Sequence, residues 1–262
     1  GLPRRPRTVP ELPSCGRNDR RGGSVIGRRY GRAMSEPPLI GRGRAADVFD
    51  IGAGRVLRRY RTPNPGAVER EAIAMQHLRA HGAPVPEVFA AAGDELVMQR
   101  LDGRTMLDAI KAKPWTAHSM GRQLAELQRR IHAVPAGALA LPRLGDGDAI
   151  LHFDLHPDNV MLTPDGPKVI DWSNVMIGDP VADVMFSWML MVTSSPDGVP
   201  LLLRPVLSRI RRRLTDGFIG DTAIDDHARH LIAEVCERRI ADRNTRDRER
   251  AAVRAFSAQH GG

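Results

Sequence analysis

The sequence predicts an α+β fold in two parts, and three features carry that expectation. Short apolar strands broken by glycine fill residues 39–98, with one helical stretch among them. Helical periodicity dominates from residue 105 onward, and a pair of short apolar strands interrupts it at 160–170. With 262 residues, 42% of them hydrophobic, the chain can bury a sizeable core as one large domain or as two small lobes around a cleft. The expected division is a basic extension over 1–34, a small antiparallel β-sheet lobe with one helix over 35–101, and a mainly helical lobe over 102–262.

The extension holds most of the net charge. Residues 1–34 contain nine arginines against Glu11 and Asp19, a net +7 of the whole chain's +8, so the remainder is nearly neutral. A nucleic-acid footprint belongs on the folded domain, so no nucleic-acid partner is expected. Without periodic apolar residues, the segment reads as disordered or non-native, with Met34 just before the first ordered-looking sequence. Cys15 and Cys236 are far apart and form no metal-binding spacing, which fits a reducing cytoplasm. The apolar run from Val184 to Val192 is about half of the roughly 20 residues a membrane span needs, so it reads as a buried helix and no membrane partner is expected.

In chain order, strands are expected at 39–40, 46–49 and 55–58, separated by the glycine turns Gly41-Arg42-Gly43-Arg44 and Gly52-Ala53-Gly54, an antiparallel meander. A helix follows over 67–81, with Ala72, Ile73, Met75 and Leu78 as its apolar stripe and Gly82 as its stop. Strands at 88–90 and 95–98 flank a Gly93-Asp94 turn. Helices are expected at 105–112 and 116–132, then at 181–193, 201–215 and once or twice within 223–259. Alternating Arg and Asp/Glu in the last of these reads as a solvated face.

The chemistry concentrates at Leu151-His152-Phe153-Asp154-Leu155-His156-Pro157-Asp158-Asn159, which runs into one short strand, a Pro164 to Gly166 turn, and a second strand ending at Asp171. Pro157 keeps the loop from becoming a regular helix. An aspartate there can accept a proton from a substrate hydroxyl, while an asparagine oxygen and a second carboxylate offer hard ligands for Mg²⁺. Asp158 reads as a solvated turn residue, His152 as a buried histidine bonded to the loop backbone, and Trp172 as core. The alternation His152-x-Asp154-x-His156 also admits a metal-hydrolase cluster.

His152-x-Asp154-x-x-x-x-Asn159 followed by Ile170-Asp171-Trp172 resembles the catalytic and metal-binding motifs of the aminoglycoside phosphotransferase and choline kinase family. The resemblance runs from about Leu39 into the last helices and implies a protein-kinase-like fold. It further implies that Asp154 is the catalytic base, that Asn159 and Asp171 bind magnesium, and that Gly178-Asp179-Pro180 and Asp183 support the loop, with His152. Gly41-x-Gly43-x-x-Ala46 resembles the hairpin covering nucleotide phosphates, with Ala46 in place of the third glycine. Met98-Gln99-Arg100 matches the hinge that holds the adenine edge through its backbone, which leaves ATP and GTP both admissible.

Where the family has a phosphate-binding lysine this chain has Arg58, with Arg59 and Arg61 as lesser alternatives; residues 39–100 contain no lysine. Arginine keeps the charge but is longer and planar. Glu71 is the expected helix partner of that cation. The resemblance thus implies transfer of the γ-phosphate of ATP to a hydroxyl of a small molecule. Arg58 motivates an alternative, a nucleotide-binding pseudoenzyme acting through protein contacts, and a metal-dependent hydrolase stands third. The acceptor stays open: an aminoglycoside calls for an acidic pocket, whereas Asp216, Asp221, Asp225, Asp226, Glu234 and Glu237 sit among many arginines.

Overall fold

Strands β1 (Leu39–Arg42), β2 (Ala46–Gly52) and β3 (Arg55–Tyr60) run antiparallel, and the β2–β3 turn shows why it is rich in glycine. Gly52, Ala53 and Gly54 have φ of 75°, 52° and 68°. That left-handed region costs an ordinary residue about 1–2 kcal/mol and glycine almost nothing. Helix α1 (Ala67–Ala80) follows, then a hairpin of β4 (Val88–Ala92) and β5 (Glu95–Gln99). β5 pairs with β3, giving the order β1-β2-β3-β5-β4. The expected meander therefore holds for three strands, and the final hairpin docks with its second strand inward. The computed structural model describes residues 37–261 apart from 44, 63, 195–199, 221, 243 and 244. The basic extension 1–34, Arg44 and Asp221 lie outside the described residues.

The chain forms two compact units, one ending at Glu69 and including Val88–Gln99, the other made of Arg70–Glu87 and everything from Arg100 on. In the first, Leu57 and Val97 are buried with Phe49, Ile51 and Phe89 packed against them. The buried apolar residues of α1 are Val68, Ala72, Ala74, Met75 and Leu78, while Ile73 is 42% exposed. Ile73 lies about 100° round the helix from Ala72, which takes it off the stripe.

The second unit starts with β6 (Arg104–Thr105), α2 (Met106–Ala112) and α3 (Ala117–His132). Short strands β7 (Arg143–Leu144) and β8 (Ala149–Leu151) precede the central loop, β9 (Val160–Thr163) and β10 (Gly166–Val169) form the expected hairpin, and β11 (Met176–Gly178) follows. Two small sheets result, β10-β9-β6 and β7-β11-β8, the latter with β7 parallel to β11. Helices α4 (Pro180–Thr193), α5 (Arg204–Ile219), α6 (Asp226–Ala241) and α7 (Asp247–His260) complete it. α4, α6 and α7 enclose a core that includes Phe186, Met189, Ile232, Val235, Val253 and Phe256. The charged residues of α6 and α7 do more than face water: Arg239 bonds Glu249, and Arg250 donates to the carbonyls of Ile240 and Asp242, tying the two helices together.

Candidate active site

The central loop is anchored at its start by one fully buried carboxylate. Asp183, in the first turn of α4, accepts the main-chain amides of His152 at 3.1 Å and Phe153 at 2.8 Å and the Nε2 of His132 at 2.8 Å. Burial pushes the Asp183 carboxyl up, but its hydrogen bond to His132 and the charges of His132 and His152 outweigh that, and it lies below the usual carboxylate range. Those bonds hold Phe153 at φ 57°, so residues 152, 154 and 156 do not alternate as on a strand. His152 is fully buried and donates Nε2 to the carbonyl of Ile170 at 2.9 Å. Its Nδ1 has no hydrogen-bond partner among the described residues.

This geometry explains why the His152-Asp154-His156 metal cluster does not form. Among the described residues no group of three His, Cys, Asp or Glu side chains is placed to hold a metal. His152 is turned toward Ile170, and the nearest approach of His156 Nε2 to Asp154 Oδ1 is 3.9 Å.

Pro157–Asn159 forms a single 3₁₀ turn, more regular than the loop expected from Pro157. His156 caps it, its Nδ1 accepting from the amide of Asp158 at 3.3 Å. Its Nε2 faces Asn159 Nδ2 at 3.4 Å and Asp154 Oδ1 at 3.9 Å. Burial lowers the pKa of His156, against the neighbouring Asp154 charge, which raises it. Asn159 donates its Nδ2 to the carbonyl of Asp154 at 2.9 Å, which fixes the side-chain amide and points its other end, Oδ1, away from that bond.

The Asp154 side chain is 29% exposed and accepts no hydrogen bond among the described residues. Burial raises its pKa; His156 and His152 pull the other way, and Asp171 adds to the rise. Asp171 stands at φ 64°, a region aspartate enters more readily than most residues, and its Oδ1 accepts from Ser173 Oγ at 2.8 Å. The main chain holds it on both sides: Ile170 donates to the Asn159 carbonyl at 2.9 Å, and Trp172 donates to Glu71 Oε1 at 3.1 Å. Glu71, only 1% exposed, therefore bonds the peptide after Asp171, a partner the sequence reading did not foresee. Trp172 is fully buried, with Nε1 bonded to the Val169 carbonyl.

Gly178-Asp179-Pro180 has a local cause at each position. A Cβ on Gly178 would lie 2.4 Å from the Leu144 carbonyl oxygen, so only glycine permits the β7–β11 pairing. Asp179 caps α4 through the amide of Val181 at 2.8 Å and bonds His227 Nε2 at 2.7 Å, and Pro180 occupies the first helical turn, where no amide partner is needed. A cavity of about 690 Å³ opens elsewhere in this unit, lined by Asp102, Arg104, Lys113, Thr163 and Pro164 among others; Asp154, Asn159 and Asp171 are not in its wall.

In the first unit, Gly41 lies within β1 opposite Val48, and Gly43 lies at the β1–β2 turn, where it donates to the Ala46 carbonyl at 2.8 Å. Neither has positive φ, and a Cβ on Gly41 would meet only ordinary contacts with Val48. Arg61 binds Asp47 at 2.6 Å and the Gly43 carbonyl at 3.0 Å, and Arg59 binds Glu95 at 3.1 Å. Arg58 is buried on β3 with its guanidinium 4.8 Å over the Tyr60 ring. Met98 and Gln99 lie within β5, paired with Val56 and Arg55, and Arg100 follows with its Nε 3.4 Å from Asp102.

The model of the phosphotransferase enzyme family matches residues 38–149 and 138–205. The chain belongs to that family. No significant match is found among curated proteins. Of the solved structures, a thermostable mutant of aminoglycoside phosphotransferase APH(4)-Ia, in ternary complex with ADP and hygromycin B, is 16% identical with a TM-score of 0.60, covering 90% of this chain and 98% of that one. A choline/ethanolamine kinase family protein from Mesorhizobium loti is also 16% identical, with a TM-score of 0.51 over 86% of this chain and 87% of that one. The amicoumacin kinase hAmiN, in complex with AMP-PNP, Ca²⁺ and Ami, is 12% identical with a TM-score of 0.52, covering 90% and 92%. The fold shared with these structures is the protein-kinase-like one, an antiparallel sheet with one helix followed by a mainly helical part. Among the described residues no helix is long and apolar enough to cross a membrane.

Proposed function

We propose that this phosphotransferase moves the γ-phosphate of ATP to a hydroxyl of a small molecule, with Asp154 as the base. The observation that carries the reading is the contrast around Asp154: its carboxylate is free of hydrogen bonds among the described residues and has a raised pKa, while its main-chain carbonyl is bonded to Asn159. A carboxylate so placed accepts a proton more readily than a solvated one. Asn159 Oδ1 and the Asp171 carboxylate, a neutral and an anionic hard oxygen, fit Mg²⁺ completed by phosphate oxygens and water. Bound there, Mg²⁺ would neutralise phosphate charge. The chain's own part is to orient the acceptor hydroxyl at Asp154, take up its proton, and hold the two ligand side chains at a fixed main-chain separation. In the first unit, the lack of a local backbone need for Gly41 supports a role in admitting a phosphate close to the chain. Arg58, buried on β3 where the family has its phosphate-binding cation, is the residue proposed to meet phosphate charge.

The neighbours bound to ADP, AMP-PNP and antibiotics support a nucleotide donor and a small-molecule acceptor without naming the acceptor. An ATP-consumption screen across amino alcohols, sugars and antibiotics identifies it, and Asp154→Asn then tests the mechanism. Turnover falls on the order of 10³-fold while nucleotide affinity is preserved; retained turnover removes Asp154 from the chemistry. Arg58 favours one second reading, a nucleotide-binding pseudoenzyme. Nucleotide and Mg²⁺ binding without ATP consumption across the whole panel establishes it.

A further inference from the structure

Away from the central loop, one segment of the second unit presents apolar side chains that none of the described residues covers. Leu201, Leu202 and Leu203, a 3₁₀ turn leading into α5, are 73%, 89% and 52% exposed, and Val206 in the first turn of the helix is 55% exposed. The same segment is strongly basic, with Arg204, Arg209, Arg212 and Arg213 all exposed. None of these four makes an ion pair among the described residues, although many other arginines of the second unit find an acidic or carbonyl partner. The one acid on the exposed side of this helix is Asp216, further along. Val206, Arg209 and Arg213 recur at the i, i+3, i+7 spacing of one helix face, opposite the buried Leu214 and Phe218.

We propose that Leu201–Leu203 and the exposed face of α5 dock on an anionic phospholipid surface, the leucines entering the headgroup and acyl boundary and the arginines meeting lipid phosphates and carboxylates. A basic helix face led by exposed leucines has the composition of an interfacial element. Charge selects the partner among the alternatives. A second copy of the chain brings four unpaired arginines against the same four across a two-fold. The basic extension at residues 1–34, net +7, is repelled by this face. Nucleic acid satisfies the arginines but gives three adjacent leucines nothing to bury against.

The test uses the full chain at near-physiological salt with vesicles of phosphatidylcholine, alone or with one third phosphatidylserine. Binding is expected only with phosphatidylserine. Arg209→Ala with Arg213→Ala should lower the partition coefficient by about fivefold per arginine removed, and Leu202→Asp should lower it by at least about tenfold. In Leu202→Trp, brominated lipid should quench tryptophan fluorescence beyond the level of the parent, a signal the basic extension cannot produce. Unchanged binding in both loss variants, with no added quenching, overturns the proposal and assigns vesicle binding to the extension. A solution dimer dissociated by Leu202→Asp overturns it in favour of self-association. Binding to single-stranded RNA that Arg209→Ala with Arg213→Ala weakens and Leu202→Asp leaves intact overturns it in favour of nucleic acid.

Discussion

Asp183 and Asp154 act side by side at the start of the central loop under opposite conditions. Asp183 is fully buried and accepts two main-chain amides and an imidazole, so its charge is compensated at every turn and its pKa is lowered. Asp154 is partly exposed, accepts nothing among the described residues, and its pKa is raised, burial being the largest cause. Burial acts on both carboxyls in the same direction; the hydrogen bonds decide the outcome. One acid is thereby a fixed strut, and the other retains the unspent basicity that a proton acceptor requires.

The largest effect that sharpens this contrast is on turnover and stability together. Asp154→Asn, besides its loss on the order of 10³ in turnover, should leave the protein no less stable than wild type at neutral pH. The folded state disfavours the charge that asparagine removes. For the same reason wild-type stability should gain, and activity should fall, as pH drops through the raised pKa of Asp154. Urea unfolding and initial rates across pH check both.

Asp183→Asn should do the reverse, costing about 3 kcal/mol in urea unfolding, because buried donors lose a charged acceptor. The stabilisation from a lowered carboxyl pKa is complete above the ordinary value, 3.8 for aspartate, and is lost as pH falls through the folded value below it. The gap between wild type and Asp183→Asn should therefore be constant near neutrality and shrink only in strong acid; a gap that shrinks at mildly acidic pH refutes the assignment. His132→Ala removes the imidazole bond to the same carboxylate and should cost about 2 kcal/mol in urea unfolding. Smallest is the backbone term at Asp171. Asp171→Asn keeps a residue that tolerates φ 64°, whereas Asp171→Ala adds about 1 kcal/mol of strain, read as the difference in unfolding free energy between the variants.

How legible this was in the sequence follows from element length and bond type. Long periodic stretches such as α3 and the β9–β10 hairpin announce themselves, as does the order of Asp154, Asn159 and Asp171. β6, β7, β8 and β11 have two or three residues each, too few for any period, and the parallel β7–β11 pairing joins segments with no local signal. His132 escaped because a histidine at the end of an amphipathic helix looks like a surface residue; only the fold brings it to Asp183, 51 positions away. Glu71 was singled out, but its bond to Trp172 spans 101 positions and goes to a main-chain amide, which leaves no trace in the partner's side chain.

The bonds from Ile170 to the Asn159 carbonyl and from Trp172 to Glu71 have a further consequence. They fix the span between the two proposed ligand residues at its base, so the hairpin beyond, turning at Pro164 and Asp165, is spared that task. Its tip is exposed and closes on itself through Thr163 and Gly166. Extra residues inserted there would lengthen a loop at small entropic cost without moving Asn159 relative to Asp171. The tip is thus a natural port for grafting a tag or probe while Asn159 and Asp171 keep their spacing.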